Sequence, residues 1–328
     1  MNSGYWHRLW YGQAKPAWYW QGLSVLFQGV VSLRRRAYRM GVKSVIKPPV
    51  PVIVVGNLTV GGTGKTPLTA WLANQLKLEG YRPGILCRGY RGRAKTWPQK
   101  VNPDSDPDSV GDEPVLLAQA TGLPVMAGPQ RVPSAMQLVD QGCDVLLSDD
   151  GLQHYALART VEIVVVDGAR GFGNGRMLPA GPLREPVARL EQADFIIING
   201  ANGVAGVGGI AMHTEIHSAR NLVSGETRSL TAFKGQTVSA MAGIGNPRRF
   251  FQALRAQGLT ITECVFPDHH RYRADDFTQV SGVVLMTEKD AIKCRIFAHD
   301  QMWSVPLSIT FAEDWFADLL TLLEQAHG

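Results

Sequence analysis

Val52-Ile53-Val54-Val55-Gly56-Asn57-Leu58-Thr59-Val60-Gly61-Gly62-Thr63-Gly64-Lys65-Thr66 is the stretch from which the rest of the chain can be read. Val52 to Val55, apolar and mostly β-branched, predict a buried strand. A glycine-rich loop follows and runs into Lys65 and Thr66. Beyond Pro67, the spacing of Leu68, Ala70, Trp71, Leu72, Ala73 and Leu76 predicts an amphipathic helix. Strand, glycine-rich loop, Lys-Thr and helix together make a phosphate-binding loop in its proper context. Glycines let backbone N–H groups crowd around phosphate oxygens, and the helix N-terminus adds a positive field. The expected nucleotide-binding residues are therefore Thr59, Val60, Gly61, Gly62, Thr63, Gly64, Lys65 and Thr66. Lys65 would reach the β- and γ-phosphates of a nucleotide, and the Thr66 hydroxyl would hold Mg²⁺. The usual pattern puts a glycine where this chain has Thr59.

Further strands alternate with helices downstream. Pro83 to Cys87 predicts a second strand, and the basic glycine loop Arg88 to Arg93 leaves its carboxyl end. Such ends face the ligand crevice of open α/β sheets, so Arg88 is either a phosphate contact or part of an exposed basic turn. An acidic, proline-containing loop, Asn102 to Asp108, precedes Gly111-Asp112-Glu113-Pro114. Asp112 and Glu113 suit the positive end of the helix they open; alternatively, one of them faces the γ-phosphate as base or Mg²⁺ partner. Asp144 to Asp149 is an apolar strand ending in aspartate, the arrangement in which a carboxylate holds the nucleotide's Mg²⁺. Two adjacent aspartates, Asp149 and Asp150, need a cation or donors nearby. Gln153 and His154 follow at once and can face the same site. After the strand 162–167, a long glycine-rich loop carries Arg176 and Arg184, both available for anionic groups. Another strand spans Phe195 to Asn199.

The alternation over 52–200 predicts an α/β fold with a doubly wound, mainly parallel sheet. From about 200 the texture changes, with a glycine-rich stretch to 209. A strand at 238–242, a helix at 248–257, the polar loop Phe266 to Tyr272 and a strand from Val283 predict a smaller C-terminal α/β part. The histidines in that loop read as surface residues or as catalytic ones. The expected division is 1–47, 48–200 and 201–328.

Residues 1–50 differ from the rest. They hold eight of the 33 Lys and Arg, while all 28 acidic residues lie beyond them. The pI near 9.1 thus belongs to this segment and does not argue for nucleic acid. Tryptophans and tyrosines crowd its start, Pro16 to Leu33 is uncharged, and Arg34-Arg35-Arg36 stops the apolar run. This combination predicts a helical membrane-associating segment, spanning or lying on the surface, with basic residues on lipid headgroups. The bland alternative is packing on the phosphate-loop domain. Lys47 to Pro51 predicts a stiff linker. The four cysteines form no C-x-x-C pair, which argues against zinc and a disulfide framework; Cys87 and Cys143 read as core residues.

Taken together, Gly56 to Pro67, Arg88-Gly89-Tyr90, Gly111-Asp112-Glu113-Pro114, Asp149-Asp150-Gly151-Leu152-Gln153-His154, Asn174-Gly175-Arg176 through Arg184-Glu185-Pro186, Ala242 to Pro247, Asp268-His269-His270 and Thr287-Glu288-Lys289-Asp290 resemble the tetraacyldisaccharide 4′-kinase family of Gram-negative bacteria. The motifs occur in family order across nearly the whole chain, and the relaxed position at Thr59 is similar to the family's own form. Asn199 departs from the lysine more usual after that strand. The resemblance implies ATP- and Mg²⁺-dependent phosphorylation of the 4′-hydroxyl of an acylated glucosamine disaccharide 1-phosphate. It implies an enzyme on the cytoplasmic face of the inner membrane, in contact with membrane lipids. It makes Asp112 and His269, with His270 adjacent, the acid–base pair; the phosphate-loop motif itself makes Lys65 the expected catalytic cation. Thr66, Asp149 and Glu113 are then expected at the metal, and Arg88, Asp150, Gln153, His154, Arg176 and Arg184 at the substrate. No protein partner is inferred. The competing expectation is a membrane-associated ATPase switch that phosphorylates no acceptor, which fold alone does not separate from a kinase.

Overall fold

The structure is a computed structural model, and it describes residues 3–200, 203–278 and 280–327. Met1 and Asn2 of the N-terminal segment, and Ala201 and Asn202 of the expected glycine-rich linker, lie outside the described residues.

Two helices come first, α1 (Ser3–Tyr11) and α2 (Trp18–Arg39). The main sheet then begins with β1 (Val52–Gly56), α3 (Lys65–Leu78), β2 (Pro83–Cys87), β3 (Gln99–Val101), α4 (Pro107–Val110), α5 (Asp112–Thr121), β4 (Val125–Ala127), α6 (Arg131–Asp140), β5 (Val145–Asp149), β6 (Val161–Asp167), β7 (Phe195–Asn199) and β8 (Ile210–Glu215). A second sheet is built from β9 (Ser218–Asn221), β10 (Thr227–Ser229), β11 (Val238–Ala242), α7 (Pro247–Ala256), β12 (Ile261–Val265), β13 (Val283–Thr287), α8 (Glu288–Cys294) and β14 (Met302–Val305). The chain then returns to the main sheet with β15 (Ser308–Phe311) and α9 (Phe316–His327).

Among the described residues the main sheet runs β15-β8-β7-β6-β1-β5-β2-β4-β3, with the outermost pairs antiparallel and the others parallel. Its central strands β1, β5 and β6 are buried at every position, because helices and loops cover both faces. One face packs on α3, α5 and α9, around Leu68, Leu72, Leu117, Leu319 and Leu323. The other packs on α6 and the loop after β6, around Leu58, Leu138, Leu152 and Leu183. The carboxyl ends of β1, β5 and β6 therefore open onto one crevice beside α3.

The second sheet, β10-β9-β14-β13-β11-β12, has its own cores on both faces. The change of sheet falls between β8 and β9, and again between β14 and β15. It does not coincide with the expected limit at 200/201. The C-terminal helix belongs to the main sheet, where Trp315 is buried among Trp71, Phe195 and Phe311.

The arginine triplet does not end α2, which continues to Arg39. Arginine is a good helix former, and Arg34 and Arg35 reach the body of the chain, while Arg36 is exposed. Arg35 donates to Gln192 Oε1 at 3.0 Å, and the Arg34 guanidinium lies 5.8 Å from the centre of the Tyr155 ring. Ser24 is buried, donating to Met177 O at 2.8 Å, while Trp18, Val25, Leu26, Val30 and Leu33 are exposed on the same helix. No helix among the described residues is long and apolar enough to cross a membrane. The segment before β1 is docked, since Ile46 N donates to Ala156 O at 2.8 Å. All four cysteines are free, and Cys87 and Cys143 are buried.

Candidate active site

The loop after β1 explains its own departure from pattern. Thr59 is buried and pairs antiparallel with Leu183, and Val60 N donates to Pro182 O at 2.9 Å. The chain there is extended, where any residue fits. Glycine is needed further on, at Gly64, which has φ +97°, and a Cβ there would lie 2.4 Å from Asn199 Nδ2. The Val60 N–H is thus committed to Pro182. Among the described residues Thr63 Oγ1 is buried without a partner, as a loop shaped for an oxygen-rich anion would leave it.

Asn199 braces this loop from β7, donating to Thr63 O at 2.9 Å and accepting from Arg249 of α7 at 3.0 Å. Asn199 therefore ties the loop after β1 to the second sheet.

Lys65 Nζ donates to Asn57 Oδ1 at 3.0 Å and lies 3.6 Å from Asp150 Oδ1. Arg184 forks onto the same carboxylate at 2.7 and 3.1 Å and also bonds to Asn57. Burial alone would push Asp150 up, but Lys65 and Arg184 outweigh it and hold the carboxyl far below the usual range. Asp150 has φ +49°, an uncommon region for a residue with a side chain.

Asp149 ends β5 almost fully buried. It accepts from Thr66 Oγ1 at 3.0 Å and Thr69 Oγ1 at 3.3 Å. Burial, then the Glu113 charge, push its carboxyl up to about 7 against the pull of Lys65. This is a carboxylate short of positive charge. With the Thr66 hydroxyl it offers the hard oxygen donors that Mg²⁺ takes alongside phosphate oxygens and water. Among the described residues no three His, Cys, Asp or Glu side chains gather as a metal cage.

Asp112 and Glu113 open α5. Asp112 Oδ2 lies 3.1 Å from Nδ1 of His269, which comes from the loop after β12 in the second sheet. Burial would raise the Asp112 carboxyl, but the His269 hydrogen bond, Lys293 and Lys289 outweigh it and keep it low. His270 turns elsewhere, to Asp276 Oδ2 at 3.0 Å. The geometry thus pairs Asp112 with His269.

Gln153 donates to Glu185 Oε1 at 2.9 Å, and Tyr155 OH to Glu185 Oε2 at 2.6 Å. His154 is pushed down to about 4 by burial and the Arg131 and Arg88 charges, so it is neutral at pH 7. Arg88 is exposed, without a hydrogen-bond partner among the described residues. Arg176 is drawn to Gln21 on α2 at 3.3 Å, and no contact ties it to Asp150 or Lys65.

Three residues of the site were not singled out from the sequence. Arg131 is buried at the start of α6, donating to Gly128 O at 2.7 Å and to the Asp149 carbonyl at 2.9 Å. Asn57 joins Lys65 and Arg184, and Glu185 anchors Gln153. The position of Asn57 inside the loop and of Glu185 beside Arg184 were the available signals.

Residues 16–324 match the family described as Tetraacyldisaccharide-1-P 4'-kinase. The chain is 49% identical over 321 residues to a tetraacyldisaccharide 4'-kinase of Nitrosococcus oceani, covering 97% of this chain and 94% of that one. It is 45% identical over 335 residues to the same-named protein of Xylella fastidiosa strain M12, covering 99% of each. Among solved structures, LpxK from Aquifex aeolicus in complex with ATP superposes with a TM-score of 0.79 at 27% identity, over 94% of this chain and 98% of that one. The chain belongs to the tetraacyldisaccharide-1-P 4'-kinase family.

Proposed function

We propose that this protein transfers the γ-phosphoryl group of ATP to the 4′-hydroxyl of tetraacyldisaccharide 1-phosphate, a step of lipid A biosynthesis, at the cytoplasmic face of the inner membrane. The observation that carries the reading is the 3.1 Å pair between Asp112, at the head of α5, and His269, from the second sheet. A hydrolytic switch needs only a positioned water. A half-buried carboxylate held low and oriented by an imidazole suits a sugar hydroxyl.

Backbone N–H groups of Gly61 to Thr66 cradle the phosphates, and Lys65 neutralises charge on the transferring group. Thr66 and Asp149, with Glu113 near, would hold Mg²⁺, which would supply positive charge at the phosphate oxygens when bound. Asp112 holds the acceptor hydroxyl in line and takes its proton, and His269 orients Asp112. Asp150, Arg184, Gln153 and His154 form the acceptor wall, with Arg88 at its rim. The exposed aromatic and aliphatic face of α2, with Arg36 and Arg39 in its last turn, lies in the lipid surface and brings the acylated acceptor to this wall. The two units we distinguish are the main sheet with α9, and the second sheet from β9 to β14.

The test is lipid-dependent ATP consumption by the full chain, with the product located on the lipid. Phosphate esterified at the 4′ position is expected. Release of inorganic phosphate without a phosphorylated lipid would establish the switch instead.

A further inference from the structure

Thr287-Glu288-Lys289-Asp290 supplies no group that touches the reacting atoms, yet it sits against the catalytic pair. Thr287 caps α8, its hydroxyl accepting the Asp290 N–H. Asp290 is fully buried, and its carboxylate takes Gly243 N–H at 2.9 Å and the Thr287 hydroxyl at 2.7 Å. Gly243 O in turn accepts His269 N–H at 3.1 Å. The start of α8 and the histidine loop are thereby fixed to one turn after β11. His269 has φ +61°, a conformation a histidine keeps only where its surroundings hold it.

Lys289 and Lys293 are one helical turn apart and share a face. Lys293 Nζ lies 3.9 Å from Asp112 Oδ2. Lys289 Nζ lies 3.2 Å from His269 Nε2 and 3.5 Å from Asp268 Oδ1. An ammonium has three N–H donors and no lone pair. In that contact Nε2 must therefore accept, which puts the ring proton on Nδ1, the nitrogen that faces Asp112.

We propose that Lys289 is a positioning residue for the phosphoryl transfer: it holds His269 as the neutral Nδ1–H tautomer, so that the imidazole donates to Asp112 and its far nitrogen receives no acceptor proton. The inference rests on Asp112 and His269 being the acceptor-activating pair. In the step it serves, the acceptor oxygen bonds to the γ-phosphorus and the bond from that phosphorus to the bridging oxygen breaks. ADP leaves with the electron pair, and the hydroxyl proton passes to the Asp112 carboxylate.

The experiment uses the full chain in detergent micelles with nitrogen-15 histidine, the His269 signals being assigned by their loss in His269→Gln. The unaltered protein should show Nδ1 protonated and Nε2 as acceptor. Lys289→Met should release that tautomer and lower kcat by up to about a hundredfold, with KM for ATP unchanged. Lys289→Gln, whose amide still donates, should keep the Nδ1–H signal and most of the turnover. An Nε2–H tautomer in the unaltered protein, or undiminished turnover in Lys289→Met, would overturn the proposal. Full turnover by Asp112→Ala would overturn the pair itself, and the proposal with it, even where the His269 signals stay as expected.

Discussion

Lys65 meets its counter-charge inside the site, on a carboxylate that Arg184 also holds. Removing the lysine therefore leaves Asp150 paired, and Lys65→Ala should fold. Its kcat should fall by about a thousandfold, the scale of losing a donor aimed at developing charge. Steady-state transfer assays beside a thermal melt check this; normal turnover in folded protein would remove Lys65 from the mechanism. Asp149 gives a pH-dependent counterpart. Its carboxyl sits at about 7, above the ordinary 3.8, so the folded chain keeps a proton that the unfolded chain has released. That contribution to stability is full below the unfolded value and is lost as pH rises through 7. Without divalent cations, Asp149→Asn should therefore be the more stable protein at pH 8, by on the order of 1–3 kcal/mol, with the gap closing toward pH 5. Urea titrations at both pH values decide it, and a gap that does not change with pH would mean Asp149 is ionised throughout. Both residues were legible because each sits beside a signal, a glycine loop or a strand's end. Arg131 was not, because it works through carbonyl contacts that only the packing of α6 against β5 creates.

Elements differ in how much of themselves they declare. The central parallel strands are short apolar runs buried on both faces, so composition alone marks them. The short strands β3, β4, β9, β10, β14 and β15 have three or four residues each, and long-range pairing defines them. That is why the return of the chain to the main sheet through β15 and α9 could not be read from local pattern. The N-terminal segment shows the same limit. Its aromatics and uncharged run predict surface affinity, but only the folded helix separates the face that packs, with Ser24, Phe27 and Val31, from the face that does not. Leu26 and Val30 are 66% and 58% exposed. A buried side chain of this size contributes about 1.5–3 kcal/mol, so Leu26→Glu with Val30→Glu should weaken binding to phosphatidylethanolamine–phosphatidylglycerol vesicles at least about tenfold. The melting temperature should hardly move. Unchanged sedimentation with vesicles would show that this face is not the one that meets lipid.

At the scale of the whole molecule, the site is assembled from two sheets. The phosphate loop, Asp149 and Asp112 belong to the main one, while His269, Lys289 and Lys293 belong to the second. Asn199 and Arg249 join the units beside the phosphate loop, and Arg271 with Asp108 joins them beside Asp112. No local reading of sequence brings positions 112 and 269 together; the resemblance to a family named them as partners, and the fold shows the contact. Positioning should dominate, because a loose phosphoryl-transfer transition state needs little nucleophile activation. The central claim is that Asp112, oriented from across the two sheets, holds and deprotonates the sugar hydroxyl. The most direct measurement is the single-turnover rate of 4′-phosphorylation of tetraacyldisaccharide 1-phosphate by Asp112→Ala, with ATP affinity measured on the same protein. The account predicts a rate lower by at least about a hundredfold, with ATP affinity unchanged. A rate equal to that of the unaltered protein, or a loss confined to ATP binding, would contradict it.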